Sequence, residues 1–223
     1  MYEDEAWLNC HNDDLWIFDK LVLAKKLGYI CGPVGVDVPT PGDYIVRPSV
    51  NCMGMGRGAE IVNIQESTDH LPLGYFWCEI FTGRHISVDY KFDIEQRIIE
   101  QDLTVEGFRR DGDPIWKFWK WKKINEFVPI HRIILDVKGS YEYINCEYIG
   151  DRLVEVHLRN NSDMRESTEV IPVWKSEAIE LYGVPKPPEG YVYVEDKDYH
   201  RIGFYLKLEN GDPVKVIEPQ INK

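Results

Sequence analysis

The chain has 223 residues, 43% of them hydrophobic, with 26 basic against 38 acidic side chains and a formal net charge of −12. That length buries a real core in one large or two small domains, and the acidic balance opposes non-specific attraction to nucleic acid or to anionic membrane. No apolar run approaches the roughly 20 residues that span a bilayer, and the acidic start MYEDEAW lacks the positive region of a secretory signal. These features predict a soluble, cytoplasmic protein with no membrane partner; for a viral source that would mean host cytoplasm or virion.

The five cysteines, Cys10, Cys31, Cys52, Cys78 and Cys146, are scattered and form no CxxC pair. An odd, scattered set argues against a disulfide framework and a structural zinc site, and predicts reduced, mostly buried thiols.

After a polar, acidic stretch over residues 1 to 13, apolar Leu15, Phe18, Leu21, Val22 and Leu27 alternate with lysines. The spacing predicts an amphipathic helix over 15–29, with Asn12 or Asp13 as N-cap and Gly28 as C-cap. A passage punctuated by Gly32, Pro33, Gly35, Pro39, Pro41 and Gly42 leads to a strand ending at Arg47.

The run from Tyr44 to Glu60, YIVRPSVNCMGMGRGAE, is the centre of the chain. Gly54, Gly56 and Gly58 let backbone N–H groups approach an anion, because no Cβ intervenes and positive φ is allowed. Arg47 and Arg57 bracket the loop with fixed positive charge suited to phosphate oxygens. The same glycines also suit a tight hairpin turn. GxxxxGK[ST] and a GxGxxG leading into a helix are both missing, which excludes P-loop and Rossmann readings. The strand-like AEIVNI that follows predicts that the loop joins two antiparallel strands.

Further on, strands are predicted over Tyr75 to Cys78 and at Ile86, Val88 and Tyr90, separated by a turn at Thr82 and Gly83. WKFWKWKK, 116 to 123, alternates aromatic and basic residues. Such a stretch suits single-stranded nucleic acid, but a half-buried strand gives the same pattern, and the acidic chain disfavours nucleic acid. A short helix is predicted from Phe127 to Val137, then strands over 141–149 and 152–159. Alternation in the second puts Leu153, Glu155, His157 and Arg159 on one face and Val154, Val156 and Leu158 on the other. That polar face is either a solvated edge or a metal site completed by Glu147 on the partner strand. Mg2+ takes a few carboxylate oxygens together with nucleotide phosphates. From about Ser176 the tail reads as a separate unit: a short helix, a proline-rich link and two or three strands with a turn at Asn210 and Gly211.

These parts in this order (a helix carrying Asp19 and Lys20 and closing on LAKKLGY, a strand ending in Arg47 and Pro48, a glycine-rich loop, VDY, and Glu155 four residues before Arg159) resemble the ATP-grasp family over roughly residues 14 to 165. The resemblance implies an α+β fold in which two subdomains with antiparallel sheets clamp ATP. It divides the chain into an ATP-grasp-like domain over 1–175, with subdomains at about 14–75 and 76–175, and a small β-rich extension over 176–223. Most of the N-terminal domain usual in that family is missing.

By position, the resemblance puts Arg47 on the α-phosphate and the loop with Asn51, Gly54, Gly56, Arg57 and Gly58 over the β- and γ-phosphates. The hinge from Cys78 through Glu79, Ile80 and Phe81 would meet adenine, and His85 the ribose. Glu147, Glu155 and His157 would hold metal, Mg2+ or, given the imidazole, Mn2+ or Zn2+. Arg159, with Arg57, would steady an acyl phosphate. The function implied is an ATP-dependent ligase that activates a carboxylate for attack by an amine, with a small-molecule or peptide substrate and a protein partner as a source of the missing substrate domain. The alternative is a non-catalytic nucleotide-binding or assembly protein of the same fold.

Overall fold

The computed structural model describes residues 3–50, 56–92, 99–161, 163–164, 167–196 and 201–208. Helix α1, Glu3–Leu8, opens the chain, a 3-10 helix follows over Asn12–Phe18, and α2 spans Lys20–Lys26. The single helix expected over 15–29 is therefore two. Asp19 divides them: its backbone is extended and its carboxylate accepts from the Leu21 and Val22 N–H groups, capping α2. Gly28 closes that helix as expected, at φ +76°.

Strands β1 (Cys31–Pro33), β2 (Gly42–Pro48), β3 (Glu60–Ile64) and β4 (Tyr75–Cys78) form a four-stranded sheet of order β1-β4-β2-β3, all neighbours antiparallel. The glycine-rich loop joins β2 to β3, as its flanking patterns predict. Tyr44, Val46, Ile64, Leu71 and Trp77 pack one face. Because β4 pairs with β2, the chain leaves this sheet over residues 79–84, a little beyond the boundary expected near 75.

The second sheet has eight antiparallel strands: β5 (His85–Phe92), β6 (Ile99–Phe108), β7 (Lys120–Lys123), β8 (Tyr143–Ile149), β9 (Arg152–His157), β10 (Glu169–Trp174), β11 (Tyr191–Glu195) and β12 (Arg201–Lys207). Their order is β11-β12-β10-β7-β6-β5-β8-β9. The tail strands, expected to stand apart, are hydrogen-bonded through β10 and β7 onto this sheet, with α3 (Glu177–Tyr182) between β10 and β11. The turn expected at Asn210 and Gly211 lies outside the described residues. Only Lys120–Lys123 of the aromatic-basic run is a strand; residues 109–119 form a strap before it. The helix expected over 127–137 shrinks to a 3-10 turn, Arg132–Asp136. Just before it, the Val128 carbonyl accepts from Tyr90 Oη and its N–H donates to Gln101 Oε1, so these backbone groups are bonded to the sheet's side chains and not within a helix.

One face of the large sheet is apolar over β5, β8 and β9, where Ile86, Val88, Tyr90, Ile144, Cys146 and Tyr148 meet Ala6, Ile17 and Leu23 of the N-terminal helices. The other face carries polar groups on the same strands and gives way, over β6, β10 and β12, to a second cluster of Val105, Val170, Phe204 and Leu206. A register shift between β8 and β9 corrects the simple alternation expected of β9. Glu147 faces Glu155, but Tyr148 faces Leu153, so Val154 is the extra residue of a bulge. Leu153 thereby joins Val156 and Leu158 in the core instead of sharing a face with Glu155 and His157.

Candidate functional site

The bulged edge strand β9 is where the two sheets meet. An edge strand exposes carbonyl groups that need partners, and the small sheet and the turn leading into it supply them. Tyr29 Oη donates to Leu153 O at 3.1 Å and Arg47 Nη2 to Val154 O at 3.0 Å. Lys20, at the start of α2, reaches across to Glu155 Oε1 at 3.0 Å, with both side chains nearly buried. Its own N–H donates to Ser49 O, tying α2 to the end of β2 and the mouth of the glycine loop.

Strand register assembles the rest. His85 and Ser87 on β5, Asn145 and Glu147 on β8, and Glu155 and His157 on β9 lie on one polar face, because Ser87 pairs with Glu147 and Glu147 with Glu155. Glu147 is the hub: Oε2 is 3.0 Å from His85 Nε2 and Oε1 is 3.8 Å from His157 Nε2, which also lies 3.5 Å from Glu155 Oε1. Burial alone would raise the Glu147 carboxyl; hydrogen bonds from His157 and His85 overcome it and hold the group well below the usual carboxylate range. Beside this cluster Asp89 is 2% exposed and accepts from the Asn145 side chain at 2.7 Å and the Asn161 backbone at 2.9 Å. That second bond anchors the turn that follows Arg159.

The expected phosphate-binding groups are only partly described. Asn51 and Gly54 lie outside the described residues. Gly56 and Gly58 adopt φ +66° and +79°, as a loop presenting amides requires. Gly58 also leaves room for Tyr75, whose Oη would lie 2.7 Å from a Cβ there. Arg57 is buried. Arg47 stacks on Phe76, and its buried Nε has no hydrogen-bond partner. At the hinge, Glu79 exchanges two hydrogen bonds with Ile30, one through its backbone N–H and one through its carboxylate, each 2.9 Å. Ile80 is exposed and Phe81 packs edge-on to Tyr29. The buried Cys78 thiol is pushed up to about 12 by burial, which leaves it protonated and inert.

Lys20 and Asp89 escape sequence reading. Lys20 looks like one of several helix lysines, and only Asp19 as the cap betrays that it starts the helix at the loop. Asp89 has a legible signal: two-residue alternation from His85 puts Ser87 and Asp89 on its face.

The donor set decides what this site can hold. Glu147, Glu155 and His157 are gathered, but as an ion-paired cluster: among the described residues no group of three or more His, Cys, Asp or Glu is spaced to hold a metal ion. His157 Nε2 faces both carboxylates, at 3.8 Å from Glu147 and 3.5 Å from Glu155. Two register-paired carboxylates still match the way Mg2+ is held, through one or two carboxylates plus phosphate oxygens. The unpartnered Arg47 Nε and the positive-φ glycines fit an anion such as a triphosphate.

No protein-family model and no curated protein matches the sequence. Solved structures do match. An ATP-grasp superfamily protein from Archaeoglobus fulgidus superposes with a TM-score of 0.52 at 16% identity, covering 86% of this chain and 64% of that one. N5-carboxyaminoimidazole synthetase from Staphylococcus aureus, complexed with ADP, gives 0.56 at 11%, covering 88% and 68%. Carboxyaminoimidazole ribonucleotide synthase from Aspergillus clavatus, complexed with ATP, gives 0.54 at 11%, covering 86% and 68%. The chain thus spans about two thirds of the length of these neighbours.

Proposed function

From the ATP-grasp fold that these superpositions establish, we propose that the chain binds ATP between its two sheets and acts as an ATP-dependent ligase, activating a carboxylate as an acyl phosphate for attack by an amine. The observation that carries this reading is the convergence of Lys20 of α2 and Arg47 of β2 on strand β9, Lys20 at Glu155 and Arg47 at the neighbouring Val154 carbonyl, with Glu155 register-paired to Glu147 on β8. Fixed cations and hard carboxylates side by side are what a metal-bound triphosphate needs on its two flanks.

In this reading Lys20, Arg47, Arg57 and the amides at Gly56 and Gly58 hold the phosphates, and the hinge at Glu79, Ile80 and Phe81 borders the adenine. Glu147 and Glu155 would hold Mg2+, whose part is to offset charge on the phosphates. A carboxylate oxygen of the substrate attacks the γ-phosphorus and ADP leaves. An amine then attacks the acyl carbon, phosphate leaves, and Arg159 stabilises the negative oxygen formed between these events. His85 and His157 keep Glu147 ionised at neutral pH.

The test is thermal unfolding with and without Mg-ATP, in wild type and in Glu155→Gln, since a ligand that binds only the folded state raises its stability. A magnesium-dependent rise that the variant loses supports the reading. No rise with any nucleotide removes it. A second reading, nucleotide binding without catalysis, is favoured by the ion pairing of the cluster with itself; a nucleotide-induced rise with no ADP release in any acid and amine mixture would select it.

A further inference from the structure

The strap between β6 and β7 brings an aromatic wall to the site. Phe118 and Trp121 both sit over Gly107: a Cβ there would lie 2.7 Å from Phe118 and 2.8 Å from Trp121, so only glycine seats them. Gly107 pairs with His85, which puts the two rings on the polar face of the sheet, and both stand edge-on to the His85 ring at 4.7 and 5.5 Å. The strap also runs close to the glycine loop: a Cβ on Gly56 would be 3.7 Å from Trp116 Cβ. It is ordered from within: Trp174 Nε1 donates to Phe118 O and Trp116 packs against Trp174.

The strap is cationic in an acidic protein. Residues 108–123 carry six basic and two acidic side chains. Arg109 lies over Phe118, Arg110 over Trp119, and Lys120 over Trp119 and Phe108. Phe118, already faced by the Arg109 guanidinium, repels a further cation, and Trp116 and Trp121 stand in the same basic stretch. They accept a flat apolar body, and the cations around them attract its negative group. Trp116, Phe118 and Trp121 are each half-buried, so part of each ring remains open.

We propose that Trp116, Phe118 and Trp121 form the subsite for the acid that is activated, and that this acid is an aromatic carboxylate. The assignment rests on the ligase reading above. Its ring stands against the strap, its carboxylate turns toward the glycine loop beside Trp116, and Arg109 and Arg110 draw it in.

The experiment uses hydroxylamine, whose nitrogen attacks an acyl phosphate, displaces phosphate and leaves a coloured hydroxamate whatever the natural amine is. Protein, Mg-ATP and hydroxylamine are incubated with cinnamate, indole-3-acetate or propionate, and the Mg-ATP shift in unfolding temperature is recorded for wild type, Trp116→Ala and Trp116→Phe. The expected result is hydroxamate from an aromatic acid at least about tenfold above propionate, with KM for that acid raised about tenfold in W116A, restored in W116F, and the nucleotide shift unchanged, as the loss of one stacking face requires. A nucleotide shift with hydroxamate from propionate but from neither aromatic acid, with no preference over propionate, or with KM unmoved in W116A, overturns this assignment alone; a nucleotide shift with no hydroxamate from any of the three acids overturns it and favours nucleotide binding without catalysis. Loss of the nucleotide shift in wild type overturns the ligase reading and the subsite with it.

Discussion

Asp89 gives the sharpest test of how dry the polar face is. Burial pushes its carboxyl from an ordinary 3.8 to about 6, against the pull of hydrogen bonds from Asn161 and Asn145. The unfolded chain releases this proton near 3.8 and the folded chain near 6, so between those values the folded state holds a proton that the unfolded state has lost. The extra stability is complete below the lower value and is lost as pH rises through the upper one. At 1.36 kcal/mol per tenfold change in proton affinity, the loss is about 3 kcal/mol. Asp89→Asn stays neutral throughout and keeps an oxygen for the Asn145 and Asn161 donors. Urea unfolding of both proteins between pH 4 and 8 should therefore show wild type losing about 3 kcal/mol relative to the variant across that range. A difference that stays flat with pH would refute the argument, because Asp89 would then ionise as it does in water and the face would be wet.

Two further pairs of substitutions test the contacts between elements. Lys20→Met leaves Glu155 nearly buried without its closest cation and should cost about 3 kcal/mol; adding Glu155→Leu should restore the melting temperature but not the Mg-ATP shift, which separates the structural part of the pair from its ligand-binding part. Gly150→Ala forces a residue at φ +61° to place its Cβ 2.7 Å from Thr82 O, whereas Gly28→Ala, at φ +76°, meets open space. The left-handed backbone costs each about 1 kcal/mol, so thermal melts should show a larger drop for Gly150, and equal drops would contradict the close crossing of the 82–84 segment over the β8–β9 turn.

Much of the fold was legible because two-residue alternation and turn glycines are local signals. The β2–β3 hairpin around the loop, the β8–β9 hairpin and the cap at Gly28 all follow from them. What escaped depends on partners distant in sequence. Asp19 ends one helix and starts another because its carboxylate caps two N–H groups, and that choice depends on where the chain must turn to bring Lys20 to Glu155. The bulge at Val154 inverts the face of Leu153, and nothing in RLVEVH announces an extra residue. The aromatic run misled in a related way: its alternation suits a strand, but Trp116 to Trp119 leave the sheet because Phe118 and Trp121 fill the space above Gly107, twelve residues earlier than the run's mid-point in no periodic relation to it.

The charge arrangement links these pieces. Glu147, Glu155, His85, His157 and Lys20 are drawn from three strands of one sheet and the first turn of a helix on the other side, and each is at least half-buried. Buried charges are tolerated only in company, so without a ligand the cluster satisfies itself: Lys20 holds Glu155, and the histidines hold Glu147. A triphosphate with its cation could enter by exchange, its oxygens taking Lys20 and Arg47 and its metal taking the carboxylates, with every buried charge still matched. On the proposed reading, the same reasoning lets an acidic protein hold an anion here. The net charge of −12 is a surface property, screened over about 10 Å at ordinary salt, while the cations that matter stand within bonding distance of the site and are fixed there by backbone contacts to Ser49 and Val154.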